Sequence, residues 1–222
     1  MSAFLAIVRR DLALAFRAGG GALQSMTFFA LAALIFALAI GPEPALLQGF
    51  AAPVLWAVAL FAAVVSLDRL FQADFEDGSL DTMIETAEFL ELQVLAKALA
   101  HWLTAGLPVI AATPAIALLF NLPPEGYAPL LASLLVGTPA LSLFGAIGAA
   151  VGLGLRRASI PMAILSAPLY APTLIFGVNA AQAGASGSPE YAPSLLLLGA
   201  ISLFSALLGP IAGAAAIRLN MS

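Results

Sequence analysis

Long apolar stretches, separated by short breaks that contain proline, glycine or charged residues, dominate the 222-residue sequence. The hydrocarbon layer of a bilayer is about 30 Å thick, and a helix needs about 20 mostly apolar residues to cross it. No stretch alternates apolar and polar residues as a membrane β-strand does, so we expect helices. The pattern predicts an all-α membrane protein with six spans, at about 22–40, 50–67, 97–120, 128–153, 159–178 and 193–217.

The positions of lysine and arginine predict the orientation of these spans, because such residues are enriched in cytoplasmic loops. All eight basic residues precede, follow or connect the predicted spans on one side, and the loops on the other side contain none. Both termini are therefore expected in the cytoplasm. Four of these residues, in the leading segment and between the fourth and fifth spans, are candidate cytoplasmic cations: Arg9, Arg10, Arg156 and Arg157.

The segment before the first span, 3–17, has an apolar face at helical spacing and arginines away from it. This pattern favours an amphipathic helix on the inner leaflet, with its arginines near anionic headgroups. A plain lead-in to the first span is the alternative. A cleavable signal peptide ending near Ala37-Leu38-Ala39 is disfavoured, because the leading segment is long for its basic region.

Composition excludes several classes of protein. Hydrophobic residues make up 62% of the chain and charged residues 9%, whereas soluble domains contain roughly 45–50% and about 25%. A water-soluble fold is excluded. The absence of cysteine and the single histidine exclude thiolate and multi-histidine metal or haem sites. The one lysine, Lys97, stands between alanines, so the chain has no P-loop for ATP.

Intramembrane chemistry is also disfavoured. An intramembrane enzyme would need a buried Ser-His pair, two Asp residues or a His/Glu metal cluster, and a proton-driven transporter would need a buried carboxylate. The only histidine is expected to be peripheral, and no predicted span has Asp or Glu in its interior. Lys97 and His101 stand four residues apart at the start of the third span. The favoured interpretation is a lysine that extends to the headgroups and a peripheral histidine beside Trp102. The alternative is a proton or ligand site.

Acidic residues are concentrated between the second and third spans, where eight of the twelve lie between positions 68 and 91. After the turn-like sequence Glu76-Asp77-Gly78-Ser79, the segment 68–94 predicts a short cytoplasmic amphipathic helix. One face carries acids and the other is apolar: Leu80, Met83, Ile84, Ala87, Leu90 and Val94. The acids indicate either a docking surface for a basic protein or an ordinary solvated face.

Small residues and prolines inside the spans bear on helix packing. Glycines at short spacing allow helices to approach closely, either within one bundle or between two copies. These candidates are Gly145, Gly148 and Gly152 in the fourth span and Gly209 and Gly213 in the sixth. Prolines in the third and fifth spans predict kinks, Pro108 among them. The Gly-rich stretch 179–193 is expected to be a re-entrant or interfacial element, or a flexible connector.

Residues 67–80, LDRLFQADFEDGSL, resemble the signature of the haem exporter protein B family. Three further blocks share this resemblance, within 97–108, 137–157 and 167–177. That family is the membrane permease of the ABC-type complex of cytochrome c maturation. The resemblance implies a single, non-catalytic permease domain over residues 1–222, similar to ABC-2 exporters and located in the bacterial inner membrane.

The resemblance also implies a role for the acidic segment. In ABC permeases a cytoplasmic coupling helix docks into a groove of the ATPase subunit, and ATP-driven closure of the ATPases repacks the spans. The candidate ATPase-coupling residues are Asp74, Phe75, Glu76, Asp77, Gly78, Leu80, Asp81, Ile84 and Glu85.

The expected partners follow from the same resemblance. They are a P-loop ATPase subunit, a haem-handling membrane subunit, a small membrane subunit, a haem chaperone and a second copy of this chain; no nucleic acid is expected. No cofactor is expected on this chain, since ATP would bind the partner and haem would be transported or held by a partner. The alternatives are an ABC permease for another substrate and a membrane assembly or scaffold protein that transports nothing.

Overall fold

The computed structural model describes residues 3–17, 21–67, 70–86, 89–153 and 159–221. These residues are helical almost throughout and include no β-strand. In chain order the α-helices are α1 (Ala3–Arg17), α2 (Gly21–Ile40), α3 (Pro44–Leu67), α4 (Gln72–Glu76), α5 (Ser79–Thr86), α6 (Leu90–His101), α7 (Leu107–Ala117), α8 (Pro124–Val151), α9 (Ser159–Ala185) and α10 (Tyr191–Asn220).

Five stretches of the described residues are long and apolar enough to cross a membrane. They contain α2, α3, α6 with α7, α8 and α10, which correspond to the predicted spans one to four and six. The fifth predicted span coincides with α9, a helix of 27 residues, or about 40 Å at 1.5 Å per residue. The prediction of an all-α membrane fold is therefore confirmed at this level.

Two predicted boundaries are wrong. The amphipathic helix of segment 68–94 does not run through to Val94, because α5 ends at Thr86 and Phe89 is extended, with φ −138° and ψ 100°. The third membrane stretch then begins at Leu90. The connection predicted over 179–193 is shorter, because only residues 186–190 lie between α9 and α10. Residues 180–183, Ala-Ala-Gln-Ala, are good helix formers and extend α9 to Ala185.

The apolar core consists of three groups of side chains distributed along the bundle. One lies at the end where α2 meets α3 and α7 meets α8, and includes Trp56, Phe120 and Leu198. A second lies at the opposite end, where α4 and α5 pack on the bundle, and includes Leu80 and Ile217. A third lies between them around Leu141, Phe144 and Tyr170. We call the end that carries α1, α4 and α5 the junction end.

Helices α3, α8 and α9 approach closely around one tryptophan. Trp56 is completely buried, and its indole Nε1 donates a hydrogen bond to Ser133 Oγ at 3.0 Å. Its ring lies against two glycines: a Cβ on Gly137 would be 2.6 Å from the ring, and a Cβ on Gly177 would also overlap it. Side chains larger than hydrogen at these two positions would displace the tryptophan.

The candidate packing glycines face other helices of the same chain. A Cβ on Gly209 would lie 2.7 Å from the carbonyl oxygen of Leu143 in α8, and one on Gly213 would lie 3.0 Å from Val94 in α6. A Cβ on Gly145 would overlap Leu67. Gly148 and Gly152 are buried. Of the two arrangements left open by the sequence, Gly145, Gly209 and Gly213 therefore pack within the bundle.

Candidate functional site

A tight turn between α4 and α5 shapes the acidic segment. Gly78 has a φ of +76°, and no atom would lie within 4 Å of a Cβ there, so the conformation rather than space favours glycine. The backbone N–H of Ser79 donates to Asp77 Oδ1 at 2.9 Å. Hydrogen bonds from the Ser79 side chain and backbone lower the pKa of the Asp77 carboxyl. The sharp turn predicted at Gly78 is confirmed.

The turn and the helices that it joins expose four carboxylates to solvent. They belong to Glu76, Asp77, Asp81 and Glu85, and Gly78 at the turn is exposed as well. We call these five residues the acidic face.

The opposite side of this segment packs on the bundle. Leu80 is completely buried, and Phe75 and Ile84 are half-buried against the same apolar group. Leu80 therefore anchors the segment and is not itself available at its surface.

Asp74, one of the candidate coupling residues, is not part of the acidic face because its side chain is only 7% exposed. Its Oδ1 lies 2.7 Å from Arg10 Nη2, and its Oδ2 lies 2.5 Å from Lys97 Nζ. Ser79 Oγ donates to Asp74 Oδ1 at 3.0 Å. Two cations and a hydroxyl group compensate the burial of this carboxylate.

A second carboxylate completes this arrangement. Asp11 lies 2.9 Å from Arg10 and 2.8 Å from Lys97 Nζ. Arg10, Asp11, Asp74 and Lys97, here called the charge network, thus join α1, α4 and α6 with no net charge. Burial lowers the pKa of the Arg10 guanidinium, but the carboxylates of Asp11 and Asp74 outweigh it and raise the pKa overall.

The interpretation of Lys97 as a lysine extending to the headgroups is wrong. Its side chain is 4% exposed and turns into the junction between helices, where two carboxylates receive its ammonium group. The Phe71 ring centroid lies 5.9 Å from Nζ, within range of a cation–π contact. Ion pairing within the protein thus replaces the hydration that an extended lysine would keep.

His101 is not peripheral either. It is 7% exposed, its Nε2 lies 2.8 Å from Ser66 Oγ in α3, and its Nδ1 lies 2.9 Å from Ser142 Oγ in α8. Ser66 uses its own hydroxyl proton on the Ala63 carbonyl at 2.8 Å. The neutral tautomer that fits this bond has Nε2–H donating to Ser66 and Nδ1 accepting from Ser142. Ser66, His101 and Ser142, here called the imidazole bridge, connect three helices.

A π-helical turn, Trp102–Gly106, follows the imidazole bridge directly and separates α6 from α7. The N–H of Leu107 bonds to the carbonyl of Trp102, five residues earlier. Pro108 has no N–H to continue an α-helical ladder, which explains the irregularity at this place. Trp102 Nε1 donates to Thr138 Oγ1 of α8 at 2.9 Å and ties the turn to the bundle. A π-turn thus accompanies Pro108, and the kink predicted there stays a prediction.

The candidate cytoplasmic cations besides Arg10 are Arg9, Arg156 and Arg157, and Arg218 is a further basic residue. Arg9 is exposed on α1, and Arg218 at the end of α10 pairs with Glu91 at the start of α6 at 2.9 Å. Both lie at the junction end. Arg156 and Arg157 fall outside the described residues.

Asp11, Ser66 and Ser142 were not singled out from the sequence. A usable signal was nevertheless present: Lys97 and His101 fall at helical spacing on the same stripe as the apolar Leu90 and Val94. Polar groups on a buried stripe require internal partners. The sequence could have predicted that partners exist, although not which ones.

Comparison with known proteins adds independent findings. The family model described as CcmB protein matches residues 2–220. The chain is 47% identical to heme exporter protein B of Paracoccus denitrificans over 216 residues, which is 97% of this chain and 99% of that protein. It is 41% identical to heme exporter protein B of Haemophilus influenzae over 218 residues, with 98% of both chains covered.

The protein of the same name from Escherichia coli K12 is 38% identical over 218 residues, covering 98% of this chain and 99% of that one. Identity at this level over nearly the whole length, together with the family match, leaves one assignment: this chain belongs to the CcmB protein family.

Proposed function

We propose that this chain is the membrane permease subunit of an ABC-type complex that supports cytochrome c maturation. ATP hydrolysis in a separate P-loop subunit would change the arrangement of its helices. The family membership and the name heme exporter protein B of its relatives support this assignment. In this proposal the chain itself is not catalytic.

The observation that carries the proposal is the acidic face, which lies exposed at the junction end. The inner leaflet is anionic and repels carboxylates, so such a face fits a protein partner that carries arginine or lysine better than it fits lipid. Asp81 and Glu85 lie one turn apart on α5, and the buried Leu80 packs this helix against the bundle. A force that a partner exerts on the acidic face is therefore transmitted to the helices against which α5 packs.

We further propose six spans with both termini in the cytoplasm of a bacterial inner membrane, as in ABC-2 exporters. Arg10, Lys97 and Arg218 support this orientation, because their ion pairs place all three at the junction end. Basic residues favour the cytoplasmic side, which is also where an ATPase would meet the acidic face.

Haem in this proposal is cargo or belongs to a partner, namely a haem-handling membrane subunit and a chaperone. His101 is the single histidine of the chain. Both of its ring nitrogens are engaged by serines, which leaves neither free as an axial ligand to iron. A small membrane subunit and a second copy of the chain complete the proposed assembly.

Charge reversal tests the docking surface. The Asp81→Lys/Glu85→Lys variant should lose co-purification of the ATPase, and the native association should weaken as salt rises. The matched control is Glu125→Lys/Glu190→Lys, the same charge change at exposed residues away from the junction end. Normal recovery of the ATPase with the first variant would overturn the acidic face as the docking surface.

Depletion of the protein tests the physiological assignment. Covalently haem-bearing c-type cytochromes should disappear while other haem proteins remain. The haem-loaded chaperone and free haem outside the membrane are then measured separately, since this distinguishes haem transport from chaperone release. Unchanged c-type cytochromes would instead favour a permease for another substrate. Loss of these cytochromes without an associated ATPase would favour a scaffold.

A further inference from the structure

Two polar clusters and a π-turn follow one another along the membrane stretch that contains α6 and α7. Lys97 of the charge network and His101 of the imidazole bridge lie four residues apart on α6, about 6 Å along its axis. The π-turn Trp102–Gly106 begins at the next residue. A continuous series of contacts thus begins at the acidic segment and runs through Lys97 and His101 of α6. It continues to α3 and α8 and ends at the π-turn.

We infer that the Asp74–Lys97 pair transmits movement of α4 and α5 to α6, and that the π-turn is the hinge at which α6 and α7 change their mutual angle. This inference rests on the proposed function only in that an ATPase moves the acidic face. Asp74 and Lys97 are positioning residues here, because they act through α6 and contact no cargo.

The ion pair suits transmission because it is buried and directional. Asp74 and Lys97 are 7% and 4% exposed, and separating two buried charges is strongly unfavourable. The apolar contacts of Leu80 attach the same segment to the bundle, but such contacts have no fixed direction and permit sliding. Displacement of α4 is therefore expected to carry the base of α6 with it.

The π-turn suits a hinge because its backbone is already irregular and a small cavity lies beside it. Pro108 removes one ladder hydrogen bond, and local hydrogen-bond rearrangements of this kind mark functional positions in helices. A cavity of about 10 Å³ lies beside the turn, and four of the residues that line it are small: Ala59, Ala63, Ala105 and Gly106. This space lies on the side of the turn that faces α3.

The imidazole bridge determines which helices respond when α6 moves. His101 contacts Ser66 on α3 and Ser142 on α8, so rotation or translation of α6 acts on both neighbours through hydrogen bonds. The second tie, from Trp102 to Thr138, lies on α8 as well. Movement of the acidic segment is thereby directed to the α3–α8 interface.

The test uses the complete complex in nanodiscs and paired spin labels. The chain contains no cysteine, so Leu118→Cys and Leu196→Cys provide unique labelling sites. Both side chains are exposed, at 68% and 74%, beyond α7 and near the start of α10. The label distance is measured without nucleotide and with ATP and vanadate. The native complex should show a nucleotide-dependent shift.

The decisive variant is Asp74→Asn/Lys97→Met, which removes one anion and one cation and leaves Arg10 paired with Asp11. It should retain the ATPase but lose the shift. The control, Glu91→Gln/Arg218→Met, removes the same charges from an exposed pair that also joins α6 to a neighbour, and should keep the shift. Pro108→Ala, which restores an N–H donor at the hinge, should reduce the shift with the charge network intact.

The outcomes separate the two proposals. Failure of the native complex to retain an ATPase would overturn the proposed function, and this inference with it. Retention of the ATPase without any native shift, or with a native shift in Asp74→Asn/Lys97→Met, would overturn the inference alone. If that double variant does not accumulate, an undiminished shift in Pro108→Ala overturns the hinge and therefore the inference.

Discussion

Asp74 and Lys97, on different helices, place a carboxylate oxygen and an ammonium nitrogen 2.5 Å apart in a junction almost closed to solvent. The pair is part of a larger balance, since Arg10 shares Asp74 and Asp11 shares Lys97. Each charge therefore depends on the others, and removing one differs physically from removing two.

Lys97→Met should lower the free energy of unfolding by about 3–5 kcal/mol, because it leaves two buried carboxylates to share Arg10 and so one negative charge in excess. Asp74→Asn should have a cost of the same order for the opposite charge. The double variant should cost clearly less than the sum, since the network is again neutral. Denaturant or thermal unfolding in detergent micelles measures all three.

An exposed pair provides the control for this cycle. Arg218 and Glu91 are 52% and 31% exposed, so Arg218→Met should cost at most about 1 kcal/mol. Additive costs for Asp74→Asn and Lys97→Met would show that the two residues are not coupled.

Ser142→Ala should destabilise the bundle by about 1–3 kcal/mol, because Nδ1 of His101 then loses its hydrogen-bond donor in a buried site. Ser66→Ala should have a similar cost, since Nε2–H loses its acceptor. Ser186→Ala is the control: this hydroxyl bonds only carbonyls of its own helix end and is exposed, so its loss should matter by less than about 0.5 kcal/mol. Equal melting temperatures for the three variants would contradict the imidazole bridge.

Two glycines on α10 offer a matched test of helix packing. Gly209→Ala would place a methyl group 2.7 Å from the backbone oxygen of Leu143, and backbone cannot yield cheaply. We expect a loss of about 1–3 kcal/mol from overpacking. Gly199→Ala meets only Val136 Cγ1, at an ordinary 3.7 Å, and should be neutral or stabilising by up to about 1 kcal/mol. Thermal unfolding compares them directly, and an unaffected Gly209→Ala would exclude close α8–α10 contact.

The membrane helices were predictable because hydrocarbon thickness and backbone hydrogen bonding constrain every span in the same way. The ends of these helices were less predictable. Phe89 is extended and ends the helix, although the apolar stripe in the sequence continues to Val94. The boundary was missed because the periodicity of apolar residues does not reveal a short break in the backbone. The turn at Gly78 was predictable because its cause is local, a backbone conformation that glycine favours.

The charge network and the imidazole bridge depend instead on residues far apart in sequence. Asp74 lies 64 positions from Arg10, and Lys97 lies 86 from Asp11. A long side chain such as that of Lys97 can reach water or a buried partner equally well, and only the placement of α1 and α4 decides between them. The ATPase-coupling role of the acidic face remains a prediction.

The charge network has one further consequence, which concerns membrane voltage. Moving one elementary charge across 100 mV requires about 2.3 kcal/mol. Arg10 and Lys97 carry two positive charges, and Asp11 and Asp74 carry two negative ones. When these four side chains move together along the membrane normal, their electrical work cancels, so an energised membrane neither drives nor opposes the displacement of the charge network itself.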